Sequence, residues 1–75
     1  MVEVDFVSDR VTNQFHVDNI AELKRMVVAK ADEDIPWEEY VLKLNGVEVS
    51  DTYVLTTADA PFMVRAVKKD IKGGL

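Results

Sequence analysis

Residues 62–75 read FMVRAVKKDIKGGL, and the rest of the chain is best understood as a support for this stretch. Successive side chains of an extended segment point to opposite faces, so Phe62, Val64 and Ala66 share one face and the residues between them share the other. Pro61 prevents a helix from running into the segment. We therefore predict a final strand with one buried face and one exposed face.

The charged end of this stretch predicts a tail. Residues 68–72 read KKDIK, with one aliphatic residue among four charged ones, and cannot bury enough apolar surface to fold back on a domain. We therefore predict a domain over residues 1–67 and a flexible tail over residues 68–75. Gly73 and Gly74 have no side chains, so the tail is thin enough there to enter a narrow channel in an enzyme. A frayed terminus has the same composition, and the domain in front must decide between the two interpretations.

Size and charge argue against several classes of protein. The 75 residues make one domain, and the formal net charge of -5 argues against general nucleic-acid binding, which requires cations to neutralise phosphates. Without cysteine the chain has no disulfide and no thiol nucleophile, so thioester chemistry must use a partner's cysteine. Residues 1–5 lack the pattern of a signal peptide, and no apolar run reaches membrane-spanning length. We expect a soluble cytoplasmic monomer that binds neither nucleic acid nor membrane.

The first part of the chain predicts a hairpin. Alternation of apolar and polar residues indicates strands over residues 2–6 and 11–17, with a turn beginning at Ser8. His16, the only histidine, falls on the polar face of the second strand. No second ligand stands at a metal-binding spacing from it, so we interpret it as an exposed strand residue rather than a base or a metal ligand.

A helix with a marked start follows. Asn19 can cap it, and Glu22, three residues later, can bond back to the cap as in a capping box. Apolar residues at spacings of three and four predict an amphipathic helix that packs on a sheet: Ile20, Leu23, Val27 and Ala31, with Met26 widening the stripe. We expect Ile35 and Pro36 to terminate this helix after a solvated exit at residues 32–34, which lacks the glycine and ligand spacing of a calcium loop.

A second hairpin follows Trp37, a residue that either covers the edge of the sheet or lies exposed for a partner. The hairpin comprises strands over residues 40–44 and 47–49. Between them, Asn45 and Gly46 both tolerate the positive φ that a tight hairpin turn demands.

The order of these elements indicates the fold. A polar connection over residues 51–60 leads to the final strand, and we expect Val54 and Leu55 to fix a turn of this connection on the core. Hairpin, helix, hairpin, turn and final strand is the order of the β-grasp fold, an α+β architecture with a mixed sheet of four to five strands packed on one helix. The last strand then lies centrally beside the first, and the two can be parallel because the helix supplies the long connection that parallel strands need.

Over nearly its whole length the chain resembles ubiquitin and its relatives. The features that carry the resemblance are Asp18-Asn19-Ile20, Leu23-Lys24, Val27, Ile35-Pro36, Leu42 and Leu44 followed by Gly46, Asp51, and the closing Gly73-Gly74. The hairpin LNGVEV, residues 44–49, is also similar to the LNGEVV hairpin of the thiamin-type sulfur carriers, a second branch of the same fold. One departure is notable. Where ubiquitin has an apolar exposed face, the matching outward positions are Lys43, Met63 and Arg65, which we predict to form a partner-binding face of different specificity.

The resemblance implies a chemistry for the tail. In both branches an ATP-dependent activating enzyme adenylates the carboxylate of the terminal glycine, which matches Gly74, with Gly73 before it. Leu75 blocks that carboxylate, so Gly74 and Leu75 define a processing site for a peptidase. A precursor of this kind is typical of protein modifiers.

Three functions therefore stand as hypotheses. The leading one is a ubiquitin-like modifier, processed after Gly74 and conjugated through that glycine to lysines of protein targets. The alternatives are a sulfur carrier with a Gly74 thiocarboxylate, serving thiamin- or molybdopterin-type biosynthesis, and a non-covalent β-grasp adaptor. We expect the domain itself to be no enzyme and to need no cofactor or metal, because the sequence has no nucleophile–base pair, metal-ligand cluster or phosphate loop.

Overall fold

The computed structural model describes residues 1–56 and 62–69. Within them the strands are β1 (Val2–Val7), β2 (Thr12–Val17), β3 (Tyr40–Leu44), β4 (Val47–Val49) and β5 (Met63–Lys68), with one α-helix, α1 (Ile20–Ala31), and a 3₁₀ turn at Trp37–Glu39. The predicted strands and their order are confirmed. The chain is α+β, with one helix packed on a five-stranded mixed sheet.

The final strand lies in the centre of the sheet. The strand order is β2-β1-β5-β3-β4; β5 runs parallel to β1 and antiparallel to β3, and both hairpins are antiparallel. The chain from β2 through α1 to β3 and β4 provides the long connection that parallel pairing of β1 with β5 requires. The predicted central position of the last strand beside the first is therefore confirmed.

Alternation along the strands produces the core. Buried side chains of β1, β3 and β5 face α1, whose Ile20, Leu23 and Val27 are fully buried. Burying one such aliphatic side chain stabilises the fold by roughly 1.5–3 kcal/mol relative to leaving it exposed. The complete buried set is Val4, Phe6, Val11, Phe15, Val17, Ile20, Leu23, Val27, Ile35, Tyr40, Leu42, Leu44, Leu55, Val64 and Ala66.

The prediction that Met26 widens the apolar stripe is wrong, because its side chain is 43% exposed. A step of one residue rotates a helical side chain by about 100°, and Met26 is turned away from Val27 toward the side that the sheet does not cover. Lys24 falls on the covered side, next to Leu23, and its side chain is only 18% exposed.

The helix begins as predicted and ends at the expected solvated exit, residues 32–34, but Pro36 is not what ends it. Asn19 Oδ1 accepts the N–H of Glu22 at 2.7 Å, whereas Glu22 Oε1 accepts the N–H of Asp18 at 2.8 Å and not that of the cap residue. The helix ends at Ala31 because Asp32 adopts the left-handed conformation, with φ 57°. The expected termination by Pro36 is therefore wrong; the chain has left the helix before reaching it.

The second hairpin turn matches its sequence signal. Asn45 and Gly46 have φ values of 51° and 89°, the positive pair that a two-residue turn between twisted strands needs. In the following connection Leu55 is buried, as expected, whereas Val54 is 62% exposed and touches the domain through a backbone bridge to Asn19. In the part of the chain described here, no helix combines the length and apolar character needed to span a membrane.

Candidate functional site

The structure places the three predicted face residues together. We call the side of the sheet that faces away from α1 the outer face. Lys43 on β3 and Arg65 on β5 are directly opposite each other in the register, and Met63 lies two residues before Arg65 on the same side. All three side chains are exposed. Their proximity is a property of the fold, while their role in binding stays a prediction.

Lys43 and Arg65 form a like-charged pair between the central strands. Their backbones lie roughly 5 Å apart, the spacing of directly opposed residues. Glu48 is opposite Lys43 on β4, and Val7 is opposite Arg65 on β1. Within residues 1–56 and 62–69 neither cation comes within ion-pair distance of a carboxylate. Like charges in this position destabilise a sheet by about 0.2–1 kcal/mol.

Apolar side chains flank the two cations along the strands. Met63 and Val67 lie on either side of Arg65 and are 42% and 39% exposed. Val41, directly opposite Val67 and two residues before Lys43, is half-buried on the same face. The centre of the outer face is therefore a cationic pair bordered by aliphatic surface.

The neighbouring acid on β1 is already engaged. Asp5 is opposite Met63 in the parallel register, and its Oδ1 accepts a hydrogen bond from Gln14 Nε2 at 2.7 Å. Further out, Glu3 is opposite His16, which is exposed as predicted. Acidic and polar side chains thus frame the cationic centre without neutralising it.

The start of the C-terminal segment is fixed to the domain. Lys68 Nζ lies 3.9 Å from Asp9 Oδ2 and 5.9 Å from the centre of the Tyr40 ring. The N–H of Lys69 donates to the carbonyl of Glu39 at 2.8 Å. Strand pairing thus extends to Lys68 and backbone hydrogen bonding to Lys69, one and two residues after Val67.

Tyr40 connects the start of this segment to two other parts of the fold. Its hydroxyl donates to Asp9 Oδ1 at 2.7 Å, in the turn between β1 and β2. A hydrogen bond with Tyr40 raises the pKa of Arg10, and Arg10 also pairs with Glu33 after the helix at 3.1 Å. Sequence reasoning did not find this cluster, because residues far apart in the chain meet there only after folding.

Trp37 covers the core rather than standing free. Its ring is half-buried and contacts Phe6 and Tyr40 edge to face, with ring centres 6.5 and 6.1 Å apart. Lys24 Nζ lies 5.4 Å from the ring centre and also pairs with Asp51. Trp37, Tyr40, Lys24 and Asp51 line a groove of about 430 Å³ that extends along β4.

The residues expected to carry the chemistry lie elsewhere. Gly73, Gly74 and Leu75 are outside the described residues, so their roles stay predictions. Across the described ranges, no three His, Cys, Asp or Glu side chains are grouped so that they could hold a metal ion. Comparison of the chain with protein-family models, with curated proteins and with solved structures finds no match.

Proposed function

We propose that the chain is a β-grasp protein of the ubiquitin-like kind and acts as a protein modifier joined through Gly74 to target lysines. The observation that carries the proposal is the position of β5. It is the central strand, parallel to β1, and the chain leaves it directly toward the Gly-Gly sequence. One helix on a mixed sheet of order β2-β1-β5-β3-β4 agrees with a β-grasp domain.

The chemistry resides in one carboxylate. The activating enzyme uses ATP to convert the Gly74 carboxylate into an acyl adenylate with release of pyrophosphate. A cysteine of that enzyme displaces AMP to form a thioester, and a lysine amine of the target displaces the thiol to form an isopeptide bond. The chain has no cysteine, so every thiol belongs to a partner. Whatever follows Gly74, including Leu75, must first be removed by a peptidase.

The domain contributes placement and recognition rather than catalysis. The bond from Lys69 to Glu39 fixes the point from which the chain continues toward Gly73 and Gly74. We assign the outer face around Lys43 and Arg65 to partner recognition, since it is exposed and central. The proposal includes a cytoplasmic monomer that needs no cofactor and is itself no enzyme.

The test compares variants expressed in the cells from which the protein comes. An amino-terminally tagged chain is purified under denaturing conditions, and covalent adducts are identified by mass. The intact chain and a chain ending at Gly74 should both form lysine adducts, whereas a chain ending before Gly73 should form none. Adducts that persist without the two glycines contradict the proposal.

The mass of the processed end separates the alternatives. A plain or lysine-linked Gly74 is the result expected for a modifier. Replacement of one oxygen by sulfur at Gly74 identifies a sulfur carrier instead. If Leu75 is retained on every molecule, the Gly74 carboxylate stays blocked and cannot be activated, and a non-covalent adaptor is favoured.

One observation favours the adaptor as the second candidate. Lys43 and Arg65 are exposed and directly opposite each other, an arrangement that does not depend on whether the tail reacts. If the adaptor function is correct, substitution of these two residues abolishes activity in cells, while removal of residues 73–75 leaves it unchanged.

A further inference from the structure

We propose that the outer face binds an acidic segment of a partner protein, whose carboxylates lie between Lys43 and Arg65. The inference deepens the recognition role in the proposed function, but it does not depend on conjugation through Gly74. Its basis is the cationic pair at the centre of the sheet and the aliphatic border around it.

The first argument is charge. The sequence has 14 acidic residues and 9 Lys and Arg residues, so acidic partners for cations are plentiful. Three other cations in the described ranges are paired, Arg10 with Glu33, Lys24 with Asp51 and Lys68 with Asp9, while Arg25, Lys30 and Lys69 form no ion pair there but do not face another cation across the sheet. Lys43 and Arg65 are placed opposite each other instead. A carboxylate from outside is a ligand that this arrangement attracts.

The second argument is the local field around the pair. Glu48 is the one carboxylate directly opposite Lys43, and Asp5 is engaged by Gln14. The residues directly opposite Arg65 are Val7 and Lys43, so no carboxylate faces it directly; the nearest acid of β1 in the register, Asp5, lies diagonally, opposite Met63. Arg65 is therefore the cation of the pair that has no directly opposed acid. Its planar guanidinium can donate two parallel hydrogen bonds to one carboxylate.

The third argument is shape. Met63 and Val67 border Arg65 along β5, and Val41 borders Lys43 along β3. A segment with adjacent acidic residues and an aliphatic residue on either side can satisfy the charges and cover the aliphatic surface at once. Binding also removes the repulsion between the two cations, so the partner relieves a cost that the free protein carries.

The experiment uses the full chain labelled with ¹⁵N and a defined probe. The probe is a blocked tetrapeptide with two adjacent aspartates between two leucines, and the control probe has asparagines in place of the aspartates. We expect saturable amide shifts at residues 41–43 and 63–67 with the acidic peptide at millimolar concentration. The shifts should weaken as salt is added, because screening reduces the attraction between exposed charges. The asparagine peptide should produce no such shifts.

Two double variants separate specific binding from general attraction. K43Q/R65Q removes both cations of the outer face, and R25Q/K30Q removes two exposed cations of α1. The two variants have equal net charge. K43Q/R65Q should bind the acidic peptide about tenfold more weakly or worse, the factor expected for losing one charged hydrogen bond, whereas R25Q/K30Q should stay within about twofold of the parent chain.

Four outcomes overturn the proposal. They are equal weakening in both variants, equal binding of the two peptides, shifts centred away from the outer face, and no saturable shift at all. The dispersion of the amide spectrum shows that each variant is folded. Because the assay does not involve Gly74, a negative result leaves the conjugation test intact, and a failure of conjugation leaves this test intact.

Discussion

Neutralising Arg65 is expected to stabilise the protein. Arg65 is opposite Lys43 on one side and Val7 on the other, so Arg65→Gln removes a directly opposed repulsion and loses no directly opposed attraction. The gain is about 0.2–1 kcal/mol, the cost of like charges directly opposed across two strands. Glutamine keeps most of the length of the side chain, so contacts of its stem are preserved.

This gain corresponds to a measurable change in Tm. For a domain of 75 residues the entropy of unfolding near Tm is about 0.16 kcal/mol/K. Arg65→Gln should therefore raise Tm by roughly 1–6 °C in low salt. Circular dichroism during heating measures the change.

The register also predicts a difference between the two single variants. Lys43→Gln relieves the same repulsion but loses the attraction of Glu48 on β4, so it should stabilise the fold less than Arg65→Gln. In the double variant the repulsion can be relieved only once, so the gains should not add. Both effects should shrink in 1 M salt, where the Debye length is about 3 Å. A fall in Tm for Arg65→Gln, or strict additivity that does not depend on salt, would refute the reasoning.

Three further substitutions test other parts of the fold. Asn19→Ala should lower the free energy of unfolding by about 1 kcal/mol, since it leaves the N–H of Glu22 without its cap. Asn19→Asp should retain most of that stability, and thermal unfolding measures both variants. Gly46→Ala should lower the urea midpoint by an amount equivalent to about 1 kcal/mol. Because the site has open space around it, the cause is the backbone strain of φ 89° and not a steric clash. Gly46→Asn should lower the midpoint less, since asparagine tolerates a positive φ better than alanine. Tyr40→Phe should lower the free energy of unfolding by about 1 kcal/mol and speed amide exchange at Lys69, because it removes the hydrogen bond to Asp9 beside the start of the C-terminal segment. Unchanged exchange at Lys69 would show that Tyr40 and Asp9 do not hold that segment.

Local patterns predicted most of the secondary structure. Alternation identified the strands because each has one face on the core, as with Phe62, Val64 and Ala66 near the end of the chain. Asn19 and Asn45 were informative for a similar reason: a helix cap and a tight turn each require a particular residue type at a fixed position. These signals act over a few residues and can be read without the fold.

The errors arose where tertiary packing, rather than local sequence, determines the position of a residue. Periodicity alone could not tell which flank of α1 the sheet covers, so Met26 was assigned inward and the partly buried position of Lys24 was missed. The residue that ends the helix was missed because Asp32, rather than a glycine, takes the left-handed conformation. The contact of Tyr40 with Asp9 joins residues 31 positions apart and has no local signature.

The candidate site was predictable in part for the same reason. Alternation placed Lys43, Met63 and Arg65 on an exposed face, and the structure brings them together. Their sharing of one charged centre depends on the register of β3 against β5, which sequence spacing does not specify. The lack of a directly opposed carboxylate for Arg65 follows from the registers of β5 against β3 and β1.

The central position of β5 also governs when the protein can fold during synthesis. The sheet joins its first strand to its last, so the β1–β2 hairpin and the β3–β4 hairpin remain separate until the ribosome has released residues up to Lys68. Before that point α1 has only part of its binding surface, and each hairpin lacks β5, the strand that it borders in the sheet. The nascent chain therefore has no complete core to form early, and the whole domain is expected to fold in one cooperative step after β5 emerges.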